Sequence, residues 1–430
     1  MKKLFFILWS LVLLASCSTD EPMNNAPAQT PTDSQSRYLS AQEAVKKAAK
    51  AYSAFFDSAK SRSTRSGVAK IYHSPAQSRE VGTDSVFYVV NFSEGGFAVV
   101  PADRNDPTDA YAIGENGYFD DSENPAVQDY MTALQGMANT IRHDSIKTIV
   151  GTIDPSLFLP EGWYLYYRDN SYAIEPVNET ETFEKTVMTK WGQYYPYNIY
   201  CPLDLDINGN YVYCPTGCIA VTIAQLGGYY KIPENSIDGY GLDWAEITRK
   251  PDALLLYPNY QQQIAHLMRQ AGIRAKLTYS ANETEGALND FLLALKNLGY
   301  PDAKLTTNLN MVKNHLKNYG PCAIGALERT RGNNHVWVID GVKVRTTGQY
   351  LHPIKDIETR IPFDITMNTY IRCNWGWCGE NDGYFLAEKY SYIDHRESYN
   401  GQNIQETTPQ VISIDESIYH TFEYVVGLSK

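Results

Sequence analysis

The chain has 430 residues, a formal net charge of −12 at pH 7 and 43% apolar residues. This length exceeds what one compact core usually organises, and the apolar content is high enough to bury a core, so two domains with flanking segments are expected. The acidic balance argues against a nucleic-acid partner, because phosphate contacts need clustered lysine and arginine.

The N-terminus indicates export. Two lysines precede an apolar run over 4–14, which is too short to span a bilayer and is typical of a signal-peptide core. The motif Leu14-Ala15-Ser16-Cys17 resembles the bacterial lipobox, in which the cysteine is lipid-modified. Residues 1–17 are therefore interpreted as a lipoprotein signal peptide with Cys17 as its lipidation site. An ordinary signal peptide with an incidental cysteine is the alternative.

Residues 18–36 stay polar and contain proline, a composition that cannot pack and suits a disordered tether. We expect a protein attached to the bacterial cell envelope, at the outer membrane or cell surface, with release after processing as an alternative. The only expected membrane contact is through the N-terminal lipid.

Residues 37–168 carry signals for a small α+β domain. Ser40 and Glu43 have the spacing of a capping box at the start of a helix. Asn124 and the proline after it predict the start of a second helix. The elements expected in this region are a helix to about 56, a hairpin over 85–102 and a helix over 125–143.

Residues 169–186 are polar and acidic and predict an exposed activation linker that is open to proteolysis. Arg168, Lys185 and Lys190 are candidate basic cleavage sites at or beside it. Residues 187–430 form the next predicted domain, and the chemistry lies there.

Cys218 stands at the predicted start of a helix with a small, apolar face, and Thr216 is the predicted cap. In the first turn of a helix, the dipole and free N–H groups lower the pKa of a thiol and favour the thiolate. Without further support, such a cysteine is more often a small packing residue. Cys214 beside it also leaves open a zinc site with a histidine, although this spacing is a weak zinc motif.

His335 stands at the entrance of a predicted strand that ends in a turn near Gly341. A cysteine at a helix start and a histidine on a strand far downstream form the Cys/His arrangement of papain-like enzymes, whose members meet in space. A structural or surface histidine is the alternative.

Two further motifs supply supporting groups. Asn374 provides an amide that can orient an imidazole, and Trp375 provides a ring that can shield it. The alternative is that the two residues form a structural turn. Gln193, in Trp191-Gly192-Gln193, can complete an oxyanion hole with the backbone N–H of Cys218, or is a surface residue.

Together these motifs make residues from about 187 to 390 resemble the streptopain family of papain-fold cysteine proteases. The resemblance implies an α+β fold, in which a helical half bearing Cys218 packs against a twisted antiparallel sheet bearing His335. It implies Cys218 as nucleophile, His335 as general base and acid, and Gln193 as oxyanion donor. Asn374 and Trp375 would support His335. The motifs that carry the resemblance are 191–193, 217–220, 335–341, 374–377 and 382–385.

The segment 91–103 is similar to a sheet segment in the pro-domains of this family, which inhibit by displacing the loop that carries the histidine. The resemblance therefore implies that residues 37–168 are an inhibitory pro-domain of a zymogen. Its own pro-domain and protein or peptide substrates are the expected partners.

The sequence departs from the family pattern at Asn334 and Cys378, where glycine is usual. Asn334 would limit how closely a substrate backbone approaches, so it is a predicted substrate-binding position. Ser280 is a second one, in a candidate substrate-binding loop.

The cysteine pairing stays open. Cys378 can pair with Cys373 or be a second thiol near the site, and Cys201 with Cys214 is another possible bridge.

The predicted function is a cysteine endopeptidase that is exported, lipid-anchored and made as a zymogen, and no metal or organic cofactor is expected. The alternatives are a catalytically silent surface-binding lipoprotein of the same fold and a Cys/His amidase that acts on the cell wall.

Overall fold

The computed structural model describes residues 37–56, 67–73, 85–104, 106, 108–120, 124–143, 164–166, 172–327, 334–353, 360–393, 410–413 and 421–429. The predicted signal peptide, Cys17 and the tether lie outside these residues.

The described residues form seven α-helices, with a 3₁₀ turn at Ala253–Leu255. The helices are α1 (Ala41–Phe55), α2 (Pro125–His143), α3 (Cys218–Tyr230), α4 (Trp244–Ile247), α5 (Pro258–Arg274), α6 (Leu288–Leu298) and α7 (Leu309–Asn318). None of the helices in the described ranges combines the length and apolar character needed to cross a bilayer.

The N-terminal strands are β1 (Gly67–His73), β2 (Ser85–Asn91), β3 (Phe97–Pro101), β4 (Ala112–Gly114), β5 (Tyr164–Tyr166) and β6 (Tyr172–Glu184). Three small hairpins follow, formed by β7 (Leu203–Leu205) with β8 (Tyr211–Tyr213), β9 (Ser236–Ile237) with β10 (Tyr240–Gly241), and β11 (Thr278–Tyr279) with β12 (Thr284–Glu285). The C-terminal strands are β13 (Lys304–Thr306), β14 (Cys322–Leu327), β15 (Asn334–Pro353), β16 (Ile361–Asn374), β17 (Gly383–Ile393), β18 (Gln410–Ser413) and β19 (Thr421–Val426).

The elements predicted between 37 and 143 are confirmed. Ser40 and Glu43 form the capping box of α1: the Ser40 backbone N–H donates to the Glu43 carboxylate over 2.8 Å, and the Glu43 N–H donates to Ser40 Oγ over 3.4 Å. Helix α1 buries its apolar face against β2 and β3. Asn124 Oδ1 accepts from the Val127 N–H over 3.3 Å and caps α2.

A large antiparallel sheet joins the N-terminal and C-terminal regions. Among the described residues it has 13 strands, with the central order β1-β2-β3-β4-β17-β16-β15-β14-β19-β13. The junction is the short pairing of β4 with β17, where Ile113 lies opposite Tyr384. The α+β prediction is confirmed, and residues 37–120 and the following domain share one sheet.

The predicted activation linker over 169–186 is mostly a β-strand in the structure, and its role as an activation linker stays a prediction. Its side chains are mostly exposed, but residues 172–184 form β6, which pairs with β15 over thirteen residue pairs from Gly341 to Pro353. Ala173 and Val177 are buried on one face of β6, whereas Asn178, Thr180 and Thr182 on the other face are exposed. The acidic composition predicted the exposure of this segment, but it did not indicate the pairing of β6 with β15.

The predicted turn at Gly341 is also wrong, because β15 continues to Pro353. At Gly341 the register against β16 shifts by one residue, so the glycine marks a β-bulge. A Cβ there would lie 3.1 Å from the Arg372 Cβ and 3.2 Å from the Glu184 Cγ, on the strands at either side. Glycine permits that close approach.

Candidate active site

Cys218 is the first residue of α3, as predicted, but the predicted cap is wrong. Gly217 is the N-cap, with φ at +87°, and no side chain caps the helix. A Cβ on Gly217 would come within 2.9 Å of Thr284 on β12, so both space and backbone conformation favour glycine. Thr216 is fully buried immediately before the cap. The helix is almost wholly buried, and Cys218 lies where it enters the core.

Helix α3 brings Cys218 to the backbone of the residue that follows His335. The backbone N–H of Val336, the residue after His335, hydrogen-bonds the Cys218 thiol and lowers its pKa. One turn along α3, the Thr222 hydroxyl donates to the Val336 carbonyl over 3.1 Å. Val336 therefore fastens the first turns of α3 to β15 at the point where His335 lies. The predicted meeting of the cysteine and histidine regions is what the structure shows.

The protonation state of Cys218 differs from the prediction. Burial raises the pKa of the thiol, and this outweighs the N–H groups of Val336, Ile219 and Cys218 itself, which lower it. The helix start therefore does supply donors to the sulfur, but the enclosed site favours the thiol over the thiolate.

Gln193 lies beside the start of α3, as an oxyanion donor must. Its backbone carbonyl accepts from the Thr216 N–H over 2.9 Å, two residues before Cys218. Trp191, two residues before Gln193, is fully buried. Its backbone N–H donates to Gln225 Oε1 on α3 over 3.3 Å. The segment 191–193 is thus tied to the helix at two points.

Asn374 and Trp375 lie near the site, but they contact groups other than His335. Asn374 Nδ2 donates to the Thr189 carbonyl over 2.9 Å, and Asn374 Oδ1 accepts from Gln225 Nε2 over 3.0 Å and from the Gly376 N–H over 3.2 Å. The Asn374 amide therefore has no bond to His335 in this structure. That Asn374 orients His335 stays a prediction, and it concerns a form in which α2 no longer contacts His335.

Trp375 belongs to a buried aromatic cluster. Its ring centroid lies 4.7 Å from that of Trp337 and 5.0 Å from that of Phe385. Its indole N–H donates to the Asn381 carbonyl over 3.0 Å. The ring therefore lies beside β15 two residues from His335, consistent with a supporting position, and its shielding role stays a prediction.

Helix α2 covers this side of the site. The Asp129 carboxylate lies 3.5 Å from His335 Nε2, and both side chains are more than 80% buried. The adjacent Tyr130 packs its ring 5.7 Å from Trp375 and 6.4 Å from Trp337, and its hydroxyl donates to the Leu386 carbonyl over 3.0 Å. The histidine thus faces a carboxylate from the N-terminal region.

The two substituted glycine positions and Ser280 fall at the edge of the site. Cys378 has φ at +54°, in the left-handed region that favours glycine, and its Sγ lies 2.5 Å from where a Cβ on Gly192 would stand. Ser280 closes the β11–β12 hairpin by donating from Oγ to the Glu283 carbonyl. The Asn334 backbone begins β15 opposite Leu327. Substrate contact by Ser280 and Asn334 stays a prediction.

Within the described ranges, neither Cys201 with Cys214 nor Cys373 with Cys378 forms a disulfide. In the same ranges, no group of three His, Cys, Asp or Glu side chains has a metal-binding arrangement.

Sequence reasoning missed Asp129, Tyr130 and Gln225. The first two gave no signal, because nothing in the sequence of a helix about 200 residues before His335 indicates that the two are in contact. Gln225 did give one: it is a polar residue in the middle of an apolar helix, and it is completely buried.

A helix that presents a cysteine to a histidine-bearing strand of an antiparallel sheet defines the class of papain-like cysteine peptidases. Residues 191–385 match the Peptidase C10 family. Streptopain from Streptococcus pyogenes is 22% identical over 343 residues, which cover 71% of this chain and 74% of streptopain. A fragment of prointerpain A from Prevotella intermedia has a TM-score of 0.51 and 19% identity, covering 84% of this chain and 99% of that fragment.

The chain is a cysteine-type peptidase that is similar to streptopain, and its family match covers residues 191–385. The predicted enzyme class and the predicted resemblance are thereby confirmed, and the structural likeness to prointerpain A confirms the fold.

Proposed function

We propose that this peptidase is an endopeptidase whose nucleophile is Cys218 and whose general base and acid is His335, and that it is made as a zymogen. The single observation that carries the proposal is the site where α3 and β15 meet: Val336 fastens the two elements together between Cys218 and His335.

The reaction follows from these groups. His335 takes the thiol proton, and the Cys218 sulfur attacks the carbonyl carbon of the peptide bond. Gln193 and the Cys218 N–H stabilise the oxyanion. The C–N bond then breaks as His335 gives its proton to the leaving amine. Water, deprotonated by His335, hydrolyses the thioester, which releases the acid and restores the thiol.

The proposed latency is supported by the contacts of α2. A base that faces the Asp129 carboxylate is held in a position set by the N-terminal region, and Tyr130 anchors the same helix to the aromatic cluster. Burial also raises the pKa of Cys218, which disfavours the nucleophilic thiolate. Removal of residues 37–168 would release His335 from Asp129.

Lys343 on β15 fixes the other end of the covering region. Its ammonium donates to the carbonyl of Phe55, the last residue of α1, over 2.8 Å. It also lies 4.2 Å from the Phe55 ring centroid and 4.9 Å from that of Tyr384. A cation is favoured at the C-terminal end of a helix and over aromatic faces. Lys343 therefore supports residues 37–168 as an intramolecular partner of the catalytic sheet.

The proposed activating cut lies in the predicted linker or at its edge. The Lys185 N–H donates to the Asp340 carbonyl over 2.7 Å, and the Lys190 N–H donates to the Pro251 carbonyl over 2.7 Å. Cleavage at either residue requires these bonds to open, as does cleavage within β6. Arg168 lies outside the described residues. We further propose export and lipid attachment through Cys17, on the strength of the lipobox alone.

The test measures hydrolysis of an unfolded protein and of peptidoglycan by the full chain, before and after limited proteolysis. Protein hydrolysis that follows processing is expected, and Cys218→Ser should reduce it by at least ~10⁴-fold. Cys378→Ser is the matched control, because it removes a thiol at the edge of the same site, and its rate should stay near native. Peptidoglycan hydrolysis alone would identify an amidase, and no hydrolysis of either substrate would support a silent binding protein.

A further inference from the structure

Gln225 is a completely buried polar residue that the proposed mechanism does not use. It lies on α3 seven residues after Cys218, about two helical turns into the core. Its neighbours on the helix are apolar and buried. Burying an amide costs free energy unless its N–H and C=O groups are hydrogen-bonded. The partners of the Gln225 side chain therefore indicate what this residue does.

Each bond of Gln225 reaches a segment of the site. Oε1 accepts from the Trp191 N–H and from the Thr189 hydroxyl, both over 3.3 Å, and Nε2 donates to Asn374 Oδ1 over 3.0 Å. Asn374 in turn donates to the Thr189 carbonyl over 2.9 Å. One amide on the cysteine-bearing helix therefore holds both the segment that leads to Gln193 and the end of β16.

Close packing keeps this arrangement in place. Gly376 has φ at +74°, and a Cβ there would lie 2.9 Å from Val221 Cγ1 and 3.9 Å from Gln225 Nε2. The Gly376 N–H donates to the same Asn374 oxygen over 3.2 Å. The turn after β16 thus lies directly against α3, with little room for the Asn374 amide to turn.

We propose that Gln225 is a positioning residue, which sets the place of the Gln193 oxyanion donor and of Asn374 relative to Cys218. The proposal rests on the proposed function, since it concerns the same site. Gln225 touches neither substrate nor the reacting atoms. Its loss should therefore lower kcat more than it changes KM, because oxyanion contacts form in the transition state.

The experiment uses the full chain after limited proteolysis and compares native protein with Gln225→Leu, Gln225→Glu and Gln262→Leu. Gln262 lies exposed on α5 and is the matched control. Gln225→Leu should lower kcat by about 10²-fold, the scale of one lost oxyanion donor, with a small change in KM. The rate at which iodoacetamide alkylates Cys218 should stay near native, because the Val336 and Thr222 contacts remain.

Gln225→Glu separates positioning from simple structural support. Its carboxylate still accepts from Trp191 but cannot donate to Asn374 Oδ1, whereas the protonated acid can. Its kcat relative to native should therefore rise as the pH falls. The pH profile also covers the case in which Gln225→Leu does not fold, because the glutamate variant has nearly the same shape.

Two results would overturn the proposal: native kcat in Gln225→Leu, or a kcat ratio for Gln225→Glu that does not change with pH. Failure of the proposed function would look different. The native chain itself would then show no hydrolysis and no selective alkylation of Cys218.

Discussion

The two sides of Cys218 are held by different parts of the chain. On the Gln193 side, the bonds lie within the family-matched region except for those of Thr189: Gln193 bonds to Thr216, and Trp191 and Thr189 bond to Gln225. On the His335 side, the histidine faces Asp129 from α2, outside that region. The Gln193 side is therefore assembled while α2 is in place, and His335 is the group that the N-terminal region contacts.

This difference locates the proposed switch. A zymogen that left its oxyanion side unformed would need to rearrange the core around α3 on activation, at a large cost in packing. Holding one histidine requires only the contacts of α2. We therefore expect activation to release His335 while the Gln193 segment stays in place.

The largest expected effect is on the histidine. His335→Ala should lower hydrolysis by the processed chain by about 10³-fold, because both proton transfers lose their carrier. His352→Ala is a matched control on the same strand, since His352 pairs with Glu175 far along β15. Peptide hydrolysis rates measure both variants. Equal losses in the two would contradict the assignment of His335.

The oxyanion side gives the next effect. Gln193→Ala should lower kcat by about 10²-fold, the scale of one oxyanion donor. Alkylation of Cys218 should be unaffected, because the thiol contacts come from β15 and from α3 itself. Steady-state kinetics and alkylation rates on the same sample check both parts. A native kcat would show that the segment 191–193 is only a scaffold.

The stability of the folded chain should depend on pH through two aspartates that line a cavity next to α1. A cavity of about 890 Å³ between α1 and the sheet is lined by residues that include Phe55, Asp340 and Asp382. Burial raises the pKa of Asp382 to about 7 and that of Asp340 to about 6. Because an unfolded aspartate titrates near pKa 3.9, the folded chain binds these protons more tightly. This contribution to stability is greatest below about pH 4 and is lost as the pH rises to about 7.

The expected result is a Tm of the full chain that falls between about pH 4 and 7, by about 5 °C more than in Asp382→Asn. Comparison with the asparagine variant cancels groups that titrate elsewhere, such as Glu43, whose pKa the Arg104 guanidinium lowers to about 2. Parallel Tm curves for the two proteins would rule out Asp382 as a source of the pH dependence.

The smallest expected effect concerns the contact that covers the histidine. Asp129→Asn should speed self-processing of the full chain about fivefold, since one polar contact such as that of the Asp129 carboxylate with His335 contributes about 1 kcal/mol. The control is Asp290→Asn, which breaks the pair of Asp290 with Lys276. Appearance of the processed band over time measures both. A slower Asp129→Asn would mean that the carboxylate assists activation.

Much of the fold and of the site could be predicted from local signals. The capping box of Ser40 and Glu43 and the cap at Asn124 are local, so α1 and α2 were placed correctly. The helix start at Cys218 was recognised in the same way. β6 was missed because strand pairing is a long-range contact: its partner on β15 lies more than 150 residues away.

The site contacts that sequence could not supply are those that join distant segments. Asn374 was expected to face His335, and it bonds to Gln225 instead, because the turn at Gly376 brings it against α3. The raised pKa of Cys218 was missed for a related reason. The helix start predicted a lower pKa, whereas enclosure by the folded chain determines the direction.

The most direct test of the central claim is labelling with an epoxide probe selective for cysteine proteases, applied to the full chain before and after limited proteolysis. Intact mass counts the labels and peptide mapping locates them. We predict one label, at Cys218, only after processing, absent in Cys218→Ser and slowed in His335→Ala. Equal labelling of Cys218 before and after processing would contradict latency, and labelling at Cys378 instead would contradict the assigned nucleophile.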